Sequence, residues 1–423
     1  MSGSSMSGRR FLTILLVIAA VAFVGRVIYI TAVTNHRDLY YDEIYYMGSA
    51  DRLADGDWFK APSIFGPADQ ESADHPPLTA LTLAPVSRFS DNSETALRIT
   101  VALAGIGVVV LLGLIGRDLA GARAGLIAAG LAAVYPNLWA NDGLILSETF
   151  ATLGSAAAVF CTYRLIRGPT WRNAAGAGVA CAIAMLSRGE LVLLVPLLVL
   201  PAVFMIPDVA RALRLRLAGV VALAAMVVIA PWVAYNLSRF EEPVFLSHGD
   251  GGALIGANCD TTYAGSELGY WYGYCFALEI PDPGEPSVYN RQRRDRAIEY
   301  ARDHLSRLPV VAAARVGRLW GVFKPFAAAK TSRGEGKPEA VSLAGWAASW
   351  VLIGLGAGGA VILRRRRVPL FPILAPIGIV TVVAIVFYGS IRFRVAAEVS
   401  LVVLAAIALD ALVDRRSGAR AGA

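Results

Sequence analysis

The sequence predicts an all-α polytopic membrane protein of about ten transmembrane helices with two large outer loops. Three observations lead there. The 423-residue chain is 56% hydrophobic and only 17% charged, against roughly 25% charged residues in a soluble domain. Its mean hydropathy is +0.56, and its apolar runs repeatedly approach the ~20 residues that cross a bilayer. The basic surplus, formally +7, falls in short arginine clusters between those runs. Such clusters anchor loops at a cytoplasmic face, so the charge is assigned to membrane topology and not to nucleic acid.

The spans are read at 11–33, 97–116, 125–140, 146–166, 174–187, 189–206, 217–237, 343–363, 368–388 and 395–413. Arg9-Arg10 sets the N-terminus inside, with the first span an uncleaved helix and not a signal peptide. Arg117 and Arg123, Arg164 to Arg172, Arg211 to Arg216, Arg364 to Arg367 and Arg415-Arg416 then all fall on that same face. Residues 1–413 read as one transmembrane domain, and 414–423 as a disordered cytoplasmic tail. Segments 174–187 and 189–206 are short, a tightly joined pair broken at Ser187-Arg188-Gly189-Glu190. No fixed-period repeat is present.

Two long loops, 34–96 and 238–342, lie outside. The first begins Tyr40-Tyr41-Asp42-Glu43-Ile44-Tyr45-Tyr46, an acidic pair in an aromatic cluster just beyond the first span. Aromatic rings settle at the membrane–water boundary. A carboxylate held there can serve as base, metal ligand or ion site, or can be an ordinary solvated loop acid. A short helix over 44–54 should stop near Gly56. Asp74-His75-Pro76-Pro77 precedes an apolar segment, 78–89, too short to span and expected along the interface or re-entrant. Asp74 and His75 read either as site residues or as loop polars.

In the second loop, Cys259 and Cys275 can pair in an oxidising compartment, whereas Cys161 and Cys181 are thiols inside spans. His248-Gly249-Asp250-Gly251-Gly252 is an anion-holding run or a plain turn. Residues 289–308 make an amphipathic helix ended by Pro309. Residues 310–326 carry Arg315, Arg318 and Lys324 among apolar residues, as in an interfacial helix whose cations reach lipid phosphate or merely snorkel. Further ionisable groups stand at span ends on the side of Asp42: Glu148, Arg188 with Glu190, and Arg392, Arg394 with Glu398. Charges at that depth are functional or paired, and Arg188–Glu190 and Arg394–Glu398 are the obvious structural pairs.

Asp42-Glu43-x-x-Tyr46 followed by Ala50-x-x-Leu53-x-x-Gly56 resembles the first outer loop of the family 39 (superfamily C) glycosyltransferases, as does His75-Pro76-Pro77-Leu78. Ser147-Glu148-Thr149, Ser187-Arg188-Gly189-Glu190, Pro231-Trp232 with Asn236, and Arg392-Phe393-Arg394 fit the same pattern. That family includes protein O-mannosyltransferases and aminoarabinose transferases. The chain is shorter than its better-known members and shows no sizeable soluble C-terminal domain, so the acceptor does not carry over.

The resemblance implies an inverting transferase that takes sugar from a polyprenyl-phosphate donor, in a bacterial inner membrane, and passes it to a glycan, lipid or protein hydroxyl. Asp42 would be the base with Glu43 beside it. Arg188, Arg392, Arg394 and Lys324 would hold the donor phosphate. Tyr46, Asp74, His75 and Glu148 would line the substrate site. A divalent cation (Mg or Mn) between Asp42, Glu43 and Asp74 is one option; no His/Cys cluster points to zinc, and no nucleotide-binding glycine motif is present. Two other readings use the same composition: a transporter or flippase of a lipid-linked sugar, which repeats or matched broken helices would mark, and a non-catalytic envelope scaffold.

Overall fold

A bundle of apolar helices carries both long loops at one end. The computed structural model describes residues 6–62, 65–67, 69–277 and 284–421, with side chains to Asp414. Helix α1 (Gly8–Ala32) opens on Ser7, whose hydroxyl accepts from the Arg10 amide and satisfies a free donor of the first turn. The first loop supplies α2 (Tyr41–Asp55), which stops at Gly56 because the chain turns there at φ 95°, and α3 (Leu78–Ser90). α3 packs on α2. Helices α4 (Glu94–Ala120) and α5 (Ala122–Val134) form a hairpin. The expected span 125–140 breaks here: Pro136 holds Tyr135 extended and starts a separate short α6 (Pro136–Asp142).

Then come α7 (Glu148–Arg167) and α8 (Trp171–Ser187). The stretch Gly189–Phe204 passes through 3₁₀ and π turns, with Pro196 and Pro201 inside it, before closing as α9 (Leu200–Phe204). Helix α10 (Arg211–Arg239) leads into the second loop. That loop holds α11 (Asp250–Ile255), α12 (Asp260–Tyr263), α13 (Tyr274–Ala277), α14 (Pro286–Asp303), α15 (Leu308–Leu319) and α16 (Pro325–Thr331). Helices α17 (Glu339–Arg365), α18 (Phe371–Val386) and α19 (Val395–Ala421) complete the chain. Residues 414–421, read from sequence as a tail, continue the last helix.

Among the described residues, six helices are long and apolar enough to cross a membrane. Shorter apolar helices at Ala122–Val134, Gly189–Phe204 and Phe371–Val386 pack among them. The last span is the core, 83% buried over its most apolar window, whereas α1, α10 and α17 are less than a third buried and turn an apolar face outward. The arginine-rich helix ends gather at the end away from the loops: Arg123 pairs with Asp410 and Asp414, and Arg167 with Asp118.

Two expectations for the second loop are corrected. Pro309 starts α15 instead of ending the preceding helix, because proline is tolerated in a first turn where its missing N–H leaves no bond unmade. Arg315 and Arg318 do not reach outward to lipid. Both are buried and donate to backbone carbonyls, Arg315 to Ile385 and Ala257, Arg318 to Leu268 and Ser266. Arg315 fastens the loop to the end of α18, and Arg318 ties the loop to itself.

Candidate active site

Asp42, Glu148, Arg188 and Arg392 come from four distant parts of the chain and meet at the loop-bearing end. Asp42 sits in the first turn of α2, where the free amides of a helix start favour an anion. Glu148 opens α7 and Arg188 caps α8. Arg392 lies in the 3₁₀ turn Ile391–Arg394 that leads into α19, its amide bonded to the Ser390 hydroxyl. Arg392 donates from Nη2 to Asp42 and from Nε to Glu148, each at 2.6 Å. Arg188 donates to the same Glu148 oxygen at 3.1 Å and to Glu190 at 2.6 Å, with its guanidinium 5.3 Å from the Phe393 ring centre. The Glu148 side chain is fully buried, while Asp42 keeps 31% of its side-chain surface and Arg392 20%. The accessible groups are thus the carboxylate and the guanidinium that covers it.

Burial pushes the Asp42 carboxyl up, but the guanidinium of Arg392, with the charges of His75 and Arg188, outweighs it and holds the group at about 2. Asp42 is therefore a carboxylate at neutral pH. His75 stacks on Tyr46 at 5.0 Å and meets Tyr45 edge-on at 4.9 Å. Burial pushes its pKa down, against the pull of Asp42 and Asp74. Tyr46 is buried below it.

The other residues singled out in the sequence go elsewhere. Glu43 is fully buried, paired with Arg37 at 2.7 Å, and accepts from the Ile145 amide at 3.1 Å. It ties α2 to the α6–α7 link. Asp74 faces His248 of the second loop at 3.3 Å. The glycine run after His248 serves close packing: a Cβ on Gly249 would lie 2.5 Å from the Asp74 carbonyl oxygen. Arg394 is buried and pairs with Glu398 at 2.7 Å, and Glu398 also accepts from Tyr135 at 2.8 Å. Lys324 is spent on the carbonyls of Gly265 and Ser266. Cys259 and Cys275 are joined in a disulfide, and Cys161 and Cys181 are free thiols.

Asp42, Glu43 and Asp74 do not converge. Among the described residues no group of three or more His, Cys, Asp or Glu side chains is placed to hold a metal ion. Asp42 and Glu43 are each paired with an arginine, and Asp74 faces His248.

Beside the cluster opens a small cleft lined by Arg392, Ser390, Tyr270, Ser332, Glu335 and Lys337 among others. Sequence reasoning missed Glu335 and Lys337. Their signal was present: Lys337 is one of four lysines in the chain and stands in Gly334-Glu335-Gly336-Lys337-Pro338, a polar glycine-flanked link directly before a span. Burial pushes the Lys337 ammonium down and the Glu335 carboxyl up.

Comparison with known proteins bears on both sequence and fold. The model of the family described as dolichyl-phosphate-mannose-protein mannosyltransferase matches residues 74–235, less than half of the chain. That stretch contains Glu148 and Arg188 but neither Asp42 nor Arg392. No curated protein sequence matches. Among solved structures, the oligosaccharyltransferase AglB from Archaeoglobus fulgidus, in complex with an inhibitory peptide and a dolichol-phosphate, aligns at TM-score 0.58 and 16% identity over 97% of this chain and 51% of its own. The same archaeal enzyme tethered to an acceptor peptide aligns at 0.56 and 16% identity, over 98% and 51%. ArnT from Cupriavidus metallidurans bound to undecaprenyl phosphate aligns more weakly, at 0.47 and 15% identity over 95% and 78%. The chain spans about half the length of the archaeal enzyme. Its fold is that of the archaeal enzyme, and the family match covers His75-Pro76-Pro77-Leu78, Ser147-Glu148-Thr149, Ser187-Arg188-Gly189-Glu190 and Pro231-Trp232 of the resemblance read in the sequence, but not the motif around Asp42 or Arg392-Phe393-Arg394.

Proposed function

We propose that this chain is a glycosyltransferase that moves a sugar from a polyprenyl-phosphate-linked donor to a hydroxyl of a cell-envelope glycan, lipid or protein at the outer face of a plasma membrane. The observation that supports it most is the pairing of one part-exposed carboxylate, Asp42, with guanidinium groups beside an open cleft. A phosphate is already a good leaving group, so the reaction needs a base for the acceptor and cations for the departing charge, with no separate acid. The acceptor oxygen attacks the anomeric carbon as the bond from that carbon to the phosphate oxygen breaks. The bonding pair leaves on the phosphate, towards Arg392. The acceptor proton passes to Asp42, and a single displacement inverts the anomeric centre. The family match and the dolichol-phosphate held by a protein of the same fold agree with a lipid-linked donor.

The test uses the full-length protein in lipid nanodiscs, radiolabelled polyprenyl-phosphate hexose or pentose, and envelope extract as acceptor. Label should move to an extract fraction, and the corresponding glycan should be missing from the envelope of cells lacking the gene. Label that stays on the lipid with either donor, together with unchanged envelope glycans, overturns the proposal.

A further inference from the structure

Arg392 is the one residue that belongs both to the carboxylate cluster and to the lining of the cleft; neither Asp42 nor Glu148 lines the cleft. In the free chain its guanidinium faces the cluster and covers the carboxylate proposed as the base. We infer that Arg392 is a two-position element: a phosphate in the cleft draws it off Asp42, so the base is uncovered only once the donor is seated. This rests on the glycosyltransferase reading and adds an order of events to it.

Three features make the exchange physically reasonable. First, Arg392 is not locked. It retains 20% of its side-chain surface, and Asp42 retains 31%. The pair joins Asp42 to one Nη of Arg392 through a single bond, so a doubly bonded phosphate can compete for the same guanidinium. Second, Glu148 does not collapse when Arg392 turns, because Arg188 still donates to it. Third, the cleft offers a phosphate a first foothold. Lys337 lines it and makes no ion pair within 4.0 Å among the described side chains, whereas Arg188 is committed to Glu148 and Glu190. Lys337 is presented by a tight turn: Gly336 sits at φ 85°, and a Cβ there would lie 2.7 Å from the Arg37 guanidinium carbon. The turn therefore rests on the same arginine that holds Glu43 at the base of α2. The covered state also accounts for Asp42 being held at so low a pKa, where it would accept a proton poorly.

The experiment measures binding, not turnover, so it does not depend on knowing the sugar or the acceptor. Farnesyl phosphate is titrated into the full-length chain in nanodiscs, with inorganic phosphate as a second ligand. If phosphate and Asp42 compete for Arg392, Asp42→Asn removes the competitor and should tighten farnesyl phosphate binding about tenfold, a 1.4 kcal/mol change. In an Arg392→Gln background binding should be weak, and Asp42→Asn should then make no difference. Lys337→Gln should weaken binding about tenfold yet keep the Asp42→Asn gain. If Arg392→Gln does not fold, Arg392→Lys takes its place, since a lysine cannot form the paired bonds and the gain should shrink.

A gain with inorganic phosphate assigns recognition to the phosphate itself; a gain confined to farnesyl phosphate assigns it to the lipid-linked group. An Asp42→Asn affinity equal to that of the unaltered chain overturns the exchange and leaves the transferase reading standing. So does an equal gain in the Arg392→Gln background, which would mean simple charge repulsion. No binding of farnesyl phosphate by any variant overturns the donor reading and the exchange with it.

Discussion

Asp42 and Arg392 are 350 positions apart in the chain and 2.6 Å apart in space, and their contact sets what can be asked of single residues. Asp42→Asn keeps the shape of the carboxylate and removes its basic oxygen. Sugar transfer should fall at least about a hundredfold, the scale of general-base loss, in protein that still folds. Near-normal turnover would move the base elsewhere. The same group gives a pH signature. Its folded pKa, about 2, lies below the ordinary 3.8. Its charge therefore adds stability above pH 3.8 that is lost as pH falls towards 2. Melts of the unaltered chain and of Asp42→Asn should accordingly converge between pH 4 and pH 2, and a gap constant across that range would show that Arg392 does not hold the carboxyl. Asp42, Arg188 and Arg392 were legible in the sequence because each stands at a span end on one face. That Arg392 and not Arg394 faces Asp42 was not legible. The two share one 3₁₀ turn, and at about three residues per turn a two-residue step points them to different sides. Arg394→Lys should therefore lower thermal stability, through its buried pair with Glu398, and leave donor KM unmoved, while Arg392→Lys should raise donor KM.

At the level of elements, the second loop is a folded cap and not an interfacial strap. Arg315 holds it to the bundle through the Ile385 and Val386 carbonyls at the end of α18, while Arg318 closes the loop on its own Leu268 and Ser266 carbonyls. The single helix expected over 310–326 holds only to Leu319, where α15 ends, and Lys324 stands in the turn before α16; cations among apolar residues do not tell lipid phosphate from a buried carbonyl as their partner. The cap is also closed by the Cys259–Cys275 disulfide, across a sequence separation of 16. A loop of about 15 residues restrains the unfolded chain by about 3 kcal/mol. Cys275→Ser, or reduction, should lower the melting temperature measurably and loosen α11 to α14, read as faster amide exchange there than in α7 or α19. Equal exchange in both forms would mean that packing alone holds the cap. Deeper in the bundle, α8 and α10 meet backbone to backbone at Gly178, where a Cβ would lie 2.3 Å from the Val221 carbonyl oxygen. That atom cannot rotate away, so Gly178→Ala should cost about 1–3 kcal/mol through a forced shift of two helices. A melt unchanged by Gly178→Ala would show that the helices can separate freely.

The whole molecule is polar in a particular sense. Its arginine-rich helix ends lie together at one end, and the two loops, the disulfide and the Asp42 cluster lie at the other. The order of the long apolar helices was readable from hydropathy and arginine position, because those signals are set by the bilayer and not by packing; among the described residues six of them are long enough to cross. Two pieces were not: the break at Tyr135, and the irregular run from Gly189 to Phe204. There the chain departs from regular helix inside protein, where neighbouring helices can satisfy the freed backbone groups. Positive-inside anchoring predicts that the arginine end is cytoplasmic, which puts the cluster and its cleft outside, where a lipid-linked sugar and an envelope acceptor would meet. Single cysteines test this in intact cells. In a background with Cys161 and Cys181 replaced by alanine and the disulfide kept, Tyr41→Cys should react with a membrane-impermeant maleimide added outside, since Tyr41 is 75% exposed beside Asp42. Arg366→Cys, in the turn after α17, should react only after the membrane is opened. The reverse pattern would turn the protein over and place the chemistry at the cytoplasmic face. Labelling of both sites from outside would break the ten-span arrangement itself, because an even number of crossings must separate Tyr41 from any other outer position and an odd number must separate it from Arg366.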